Sequence, residues 1–146
     1  DVAISEGGEV YVSGSRSRTI YQLVDGELEV WLKDETLLEK ANGLLIDGEV
    51  LIHGGQRWTI FNRKSKAIVE DALRPGDELF DFDGIMFDQA GGYIVTTIDD
   101  PRLWRITRDG SFPVSEEPLQ GIDLDLKGHY MALPRVGGKL TLYRVK

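Results

Sequence analysis

The residues able to do chemistry in this chain are carboxylates and amides rather than thiols or paired histidines. Its 146 residues include 25 Asp and Glu, two His and no Cys. The absence of Cys excludes disulfides, thiolate zinc sites and cysteine nucleophiles. His53 and His129 lack an i, i+4 partner and any Ser-His-Asp arrangement, so we interpret both as structural or surface groups. Carboxylates that converge suit a cation, and scattered carboxylates provide solubility.

The overall charge limits the kinds of partner. The formal net charge is −8 and the sequence pI is about 4.7. Such a surface repels phosphate backbones, so we predict no nucleic-acid binding and no attraction to anionic membranes. No apolar run approaches the roughly 20 residues of a membrane span, and no signal peptide is visible. The cellular compartment stays open.

Two dipeptides with an amide or carboxylate next to a glycine open apolar segments at matching places. They are Asn42-Gly43 and Asp83-Gly84, and they belong to a repeat whose starts we place at Asp1, Asn42, Asp83 and Gln120. Taken singly, each dipeptide is also a standard turn signal. The spacing of about forty residues between starts is what makes them more than isolated turns.

Each repeat contains the same succession of short elements. The first strand leads into a glycine-bearing turn, a second strand and a third strand with an aromatic residue. The second strands begin at Val10, Val50, Tyr93 and Tyr130. Fourth strands are predicted in three repeats only, at 28–31, 67–70 and 112–114.

Repeats of about forty residues with three or four short antiparallel strands each predict an all-β fold, a β-propeller. We expect a single domain over residues 1–146, with four-stranded blades at about 1–33, 42–70, 83–115 and 121–145, the last incomplete. A β-sandwich with evenly spaced strands is the alternative, but sandwiches do not repeat their turn motifs. The loop acids Asp99 and Asp100 are assigned to solvation, and Arg102 to surface charge or, as the alternative, to the rim of the central channel.

The ends of the repeat array predict a partial ring. The last blade lacks an outer strand, and the chain begins at an inner strand. A partial ring leaves blade faces and a sheet edge exposed, which favours association. We therefore expect a homo-oligomer, in the simplest case a homodimer, or else further blades upstream of residue 1.

The motifs of the second and third repeats resemble those of the gluconolactonase and senescence marker protein (regucalcin) family of six-bladed propellers. The matching features are the Asn-Gly-Leu start at residue 42 and the Asp-Gly-Ile start at residue 83. The latter continues through Gly91-Gly92-Tyr93 to a Leu-Trp-Arg-Ile-Thr-Arg-Asp-Gly segment at 103–110. The resemblance covers nearly the whole chain, but only about the last two thirds of a family member.

The resemblance implies a divalent metal ion, calcium or zinc, at the top of the central channel. By the family pattern Asn42 and Asp83 would be metal ligands, and Asp83 would be the general base that activates water against a sugar lactone. A ligand Glu of the family's first blade has no counterpart here. The pairing is chemically sensible, because amide and carboxylate oxygens suit hard cations and a metal ion polarises a lactone carbonyl.

Two functional hypotheses follow. The first is that the chain is part of a metal-dependent lactonase-like hydrolase acting on a small-molecule lactone or sugar acid. The second is a non-catalytic propeller segment that binds a ligand or partner or associates with itself. Stabilisation by a divalent ion, lost on changing Asp83, would favour the first hypothesis.

Overall fold

The computed structural model describes residues 1–70, 72–76, 78–88, 91–114, 118–119, 123–127, 130–135 and 137–144. The regular elements in these ranges are β-strands. They are β1 Val2–Ile4, β2 Val10–Gly14, β3 Thr19–Val24, β4 Glu27–Lys33, β5 Leu44–Asp47, β6 Val50–His53, β7 Thr59–Asn62, β8 Phe82–Asp88, β9 Gly92–Thr97, β10 Leu103–Thr107, β11 Gly110–Pro113, β12 Asp125–Lys127, β13 Tyr130–Arg135 and β14 Lys139–Arg144. Over the same ranges, no helix is long and apolar enough to cross a membrane.

The strands form four antiparallel sheets in which neighbours in sequence are neighbours in space. The first sheet is β1–β4, the second β5–β7, the third β8–β11 and the fourth β12–β14. This up-and-down order is that of a propeller blade. The predicted all-β propeller fold class, with an incomplete last blade, is confirmed.

One predicted strand is wrong in extent. Residues 67–70 were expected to form the fourth strand of the second blade, but only Ile68 makes a bridge, to Phe61. The segment follows a tight turn in which Lys66 is left-handed, with φ 61°. Two main-chain hydrogen bonds of 2.8 Å flank the bridge, and no ladder forms beyond them in the described residues. The repeat start Gln120 and His129 lie outside the described residues.

The chain divides into two compact units, of which the first spans Asp1–Ala72. Its core lies between the first and second sheets. Ala3, Tyr11 and Ile20 share one face of the first sheet and contribute to this core. The Trp31 ring makes edge-to-face contacts with the rings of Tyr11, at 5.6 Å, and Phe61, at 5.9 Å. These aromatic residues thus pack between blades, where their rings stabilise the contact.

The second unit spans Leu73–Lys146. Its core joins Met86 and Ile94 of the third sheet to Met131 and Leu133 of the fourth. Their inner strands approach closely at Gly84. A Cβ built there would lie 2.8 Å from the Leu124 nitrogen. Glycine is therefore required by packing at this point, since a Cβ essentially never comes so close to backbone.

Candidate functional site

Asn42 lies at an irregular start of the inner strand of the second sheet. Its N–H donates to the Gly54 carbonyl at 2.8 Å, while the Gly54 N–H donates to the Gly43 carbonyl at 2.8 Å. Two consecutive residues therefore face one partner, which is the pattern of a β-bulge. The Asn42 carbonyl also accepts a hydrogen bond of 2.6 Å from Ser13 Oγ. The hydrogen bonds that fix Asn42 are thus made by its main chain.

Asp83 lies at a second irregularity, at the start of β8. Phe82 pairs with Thr97 and Ile85 pairs with Val95, so the register shifts between them. The Gly84 N–H, displaced from the ladder, donates instead to the Thr96 hydroxyl at 2.8 Å. Asp83 is half-buried. It also interacts with a neighbouring group, so it is not without a partner.

The two irregularities are equivalent in register. Asn42 precedes by two residues Leu44, which pairs with His53, and Asp83 precedes by two residues Ile85. Leu44 and Ile85 each stand three residues before the last inner-strand residue of their hairpin. Bulges re-aim side chains and are common beside functional sites. The sequence-predicted equivalence of Asn42 and Asp83 is therefore present in the folded units.

The structure adds a carboxylate that sequence reasoning missed. Asp123 precedes β12, and its Oδ1 accepts the Leu124 N–H at 2.7 Å. The same oxygen lies 2.9 Å from the place of a Cβ on Gly84. Asp123 therefore lies against the residue that follows Asp83. The signal available in the sequence was Gly84 itself, because a strand residue without a side chain marks a close approach.

Other acidic groups do not complete a cluster. No three His, Cys, Asp or Glu side chains come together within the described residues. Asp81, the nearest carboxylate in sequence, is buried with a left-handed backbone, φ 53°, and its carbonyl accepts the Ile98 N–H at 2.9 Å. Asn42 belongs to the first unit and Asp83 to the second. Their coordination of a common ion stays a prediction.

A cavity of about 280 Å³ lies in the second unit, at the end of the third sheet where β9 finishes and β10 begins. Acidic, aromatic and aliphatic side chains form its wall. The lining residues are Glu78, Leu79, Phe80, Thr97, Asp99, Asp100, Arg102 and Trp104. Since β8 begins at this same end of the sheet, the cavity and Asp83 lie at the same end of the third sheet.

An internal ion pair organises the cavity wall. Arg102 Nε lies 2.9 and 3.1 Å from the two oxygens of Asp100, and the Arg102 guanidinium covers the Trp104 ring at 4.6 Å. The hydrogen bond from Arg102 is the main reason that the pKa of Asp100 is lowered. Because Arg102 is neutralised by its own neighbour, the wall offers carboxylates and an aromatic face rather than a free cation.

Sequence reasoning had assigned Asp100 to solvation and Arg102 to surface charge or a channel rim. Asp100, Arg102 and Trp104 are spaced by two, and alternation along an extended chain places such residues on one side. That spacing was the signal that could have grouped them.

His53 is buried, which fits the structural one of the two interpretations that the sequence left open. It ends β6, between its pairing partners Leu44 and Thr59, and is 0% exposed. Neither ring nitrogen has a hydrogen-bond partner among the described residues. Burial lowers the pKa of His53 from 6.5 to about 4. The ring is therefore neutral at physiological pH.

Comparison with known proteins shows the fold. The sequence matches no protein-family profile and no curated protein. Virginiamycin B lyase from Staphylococcus aureus superposes with a TM-score of 0.64 at 17% identity, over 99% of this chain and 54% of that one. PorZ, a surface component of the type-IX secretion system of Porphyromonas gingivalis, superposes with a TM-score of 0.67 at 17% identity, over 99% and 20%. Both are β-propellers.

The computationally designed protein Ika4 gives a TM-score of 0.65 at 9% identity, over 99% of this chain and 89% of that one. The chain thus spans about half of the lyase and most of the designed protein. At these identities the likeness defines a class, and this chain is a partial β-propeller. Its resemblance to the gluconolactonase and regucalcin family stays a prediction.

Proposed function

We propose that this chain is part of a divalent-metal-dependent, lactonase-like propeller hydrolase, with Asn42 and Asp83 as ligands of a calcium or zinc ion. The observation that carries the proposal is their shared register position. In two successive sheets a residue with a side-chain oxygen lies at an irregularity of the inner strand, two residues before the residue at which regular pairing begins or resumes, Leu44 or Ile85. If Asn42-Gly43 and Asp83-Gly84 were only turn signals, they would not need to occupy the same position in the register of their sheets.

The donor chemistry fits a hard cation. An amide oxygen and a carboxylate are ligands that calcium accepts, and Asp123 supplies a further carboxylate beside Gly84. Two ligands are too few for tight binding, so Asp123 strengthens the proposal. When bound, a divalent ion would supply polarisation of the lactone carbonyl.

Asp83 is the residue proposed to move the proton. Its carboxylate would accept a proton from water as the water oxygen bonds to the lactone carbonyl carbon. The ring C–O bond then breaks, the ring oxygen takes the proton that Asp83 accepted from water, and the product is a hydroxy acid. A carboxylate in this role contributes roughly 10²–10⁴-fold to the rate.

A non-catalytic, ligand-binding propeller segment is the second candidate. It is favoured by the absence of a three-residue acidic or histidine cluster within the described ranges. It is also favoured by the cavity bounded by Phe80, Arg102 and Trp104, which offers binding surfaces without a nucleophile. This candidate allows ligand binding at the same edge and predicts no hydrolysis.

Hydrolysis of a sugar lactone in the presence of calcium or zinc tests the proposal. Acid release would be followed by a pH indicator, with Asp83→Asn against the matched control Asp109→Asn, an exposed Asp-Gly turn at the opposite end of the third sheet. We expect Asp83→Asn to lose about 100-fold or more and the control to retain the rate. Metal binding without turnover would instead support the second candidate.

A further inference from the structure

The outward face of the first sheet is an apolar surface built like a packed blade face. Alternation places Ala3 and Tyr11 on the face that packs against the second sheet. The opposite face carries large apolar side chains in two cross-strand rows. They are Val2, Ile4, Leu23, Leu28 and Val30, between 42% and 66% exposed. We call these five residues the leading face.

The fourth sheet has a corresponding surface in the second unit. Met131 and Leu133 face the third sheet and are buried. The opposite face pairs Ala132 with Leu142 and Pro134 with Leu140, and both leucines are 64% exposed. Tyr130, 58% exposed, continues it. We call Tyr130, Ala132, Pro134, Leu140 and Leu142 the trailing face.

Each of these faces has a buried counterpart in the same unit. Leu44, Leu51 and Phe61 of the second sheet face the preceding sheet and belong to the core of the first unit. The leading face is the same side of the first sheet. Met86, Ile94 and Leu103 of the third sheet face the following sheet and are buried. The trailing face is that side of the fourth sheet. Both surfaces are therefore blade-stacking faces, and their complement is another blade.

Charge at the ends of the two faces is complementary. Glu6 and Asp25 are exposed just past the ends of β1 and β3. Lys127 and Arg144 are exposed at the ends of β12 and β14, the equivalent end of the fourth sheet. In a propeller, the equivalent strands of neighbouring blades run in the same direction. If a trailing face stacks on a leading face in this way, the two acidic residues lie next to the two basic residues. Such matching sets the register and orientation of an interface.

We infer that a second copy of this chain covers these faces, with the trailing face of each copy on the leading face of the other. One copy corresponds to 54% of the virginiamycin B lyase propeller, so two copies correspond to about one propeller of that size. If both contacts form between the same two copies, the result is a closed symmetric dimer. The inference is independent of the proposed metal chemistry.

Light scattering coupled to size-exclusion chromatography tests the inference on the full chain. We expect twice the chain mass of 16.4 kDa. Val30→Asp on the leading face and Leu142→Asp on the trailing face should each give monomers, because either places a charge in the apolar contact. The control Ile98→Asp, on a loop residue that is 61% exposed, should leave the dimer intact.

A mixing experiment separates trailing-on-leading stacking from other dimers. Val30→Asp retains a normal trailing face and Leu142→Asp a normal leading face, so a mixture of the two should form a heterodimer through one unaltered contact. Circular dichroism would establish that both variants are folded. A monomeric wild-type chain, a dimer indifferent to Val30→Asp, or failure of the folded variants to associate on mixing would each overturn the inference.

Discussion

His53 shows how a single side chain can make the stability of this chain depend on pH. The ring is fully buried, and its nitrogens have no partners among the described residues. Protonation would place an uncompensated charge in the core, which is why burial lowers its pKa to about 4. In the unfolded chain an ordinary histidine titrates near 6.5. Between these values the unfolded state binds more protons than the folded state.

Stability should therefore fall as pH is lowered from about 6.5 to about 4. The slope from this residue is about 1.4 kcal/mol per pH unit, and the total loss is about 3 kcal/mol. His53→Leu should remove that component, and Leu133 shows that leucine suits a buried blade position. Urea unfolding of both proteins at pH 7, 5.5 and 4.5 would measure the difference curve. Parallel pH dependences would contradict the account, because carboxylates titrate in both proteins.

Residue roles were the hardest level to predict from the sequence. Asn42 and Asp83 could be singled out because a repeat relates them, and their equivalence in register is observed. Asp123 could not, because its importance comes from a contact with Gly84 that exists only after two sheets pack. The Asp100–Arg102 ion pair was likewise not predicted, because the sequence analysis considered each charged residue separately.

At the scale of elements, the close approach of inner strands is the feature that positions the candidate site. Gly84 brings β8 next to the start of β12, with a Cβ position only 2.8–2.9 Å from main-chain atoms of Asp123 and Leu124. Main-chain atoms cannot yield as a flexible side chain can. The lack of a side chain at Gly84 therefore fixes where the Asp123 carboxylate lies relative to the bulge at Asp83.

Gly84→Ala should destabilise the protein by roughly 1–3 kcal/mol, the usual range for overpacking a close contact. It should also weaken any ion binding at this edge. The matched control is Gly7→Ala, whose Cβ would meet only Ser5 Oγ at an ordinary 3.7 Å. Thermal unfolding of both variants beside the wild type would measure the effect. Equal melting temperatures for the two variants would show that the strands tolerate the extra carbon.

Strands and turns were largely predictable because local chemistry determines them. Glycine-bearing turns correctly indicated the first hairpins of the first three sheets, and the predicted turn at Gly128 lies outside the described residues. The fourth strand of the second blade was overestimated. Residues 67–70 have the composition of a strand, but only Ile68 pairs after the left-handed turn at Lys66. Strand pairing depends on the position and direction in which the chain leaves the turn, and amino-acid composition alone does not determine these.

At the scale of the whole molecule, the chain is a partial propeller with exposed blade-stacking faces and with candidate ion ligands at the starts of its inner strands. The repeat period predicted the fold, and structural likeness to two propellers, each at 17% identity, bears it out. Chemistry is less predictable than fold, since propellers share blades across unrelated activities. The ion site is the claim on which the proposed function depends.

Calorimetric titration of the chain with calcium, repeated with zinc, magnesium and manganese, tests that claim most directly. The account predicts saturable binding of at least one of these ions, abolished in Asp83→Ala, weakened in Asn42→Ala and retained in Asp109→Ala. Thermal stabilisation should rise with the concentration of the same ion, as binding to the folded state requires. Absence of binding by every ion, or binding unchanged in Asp83→Ala, would contradict the account.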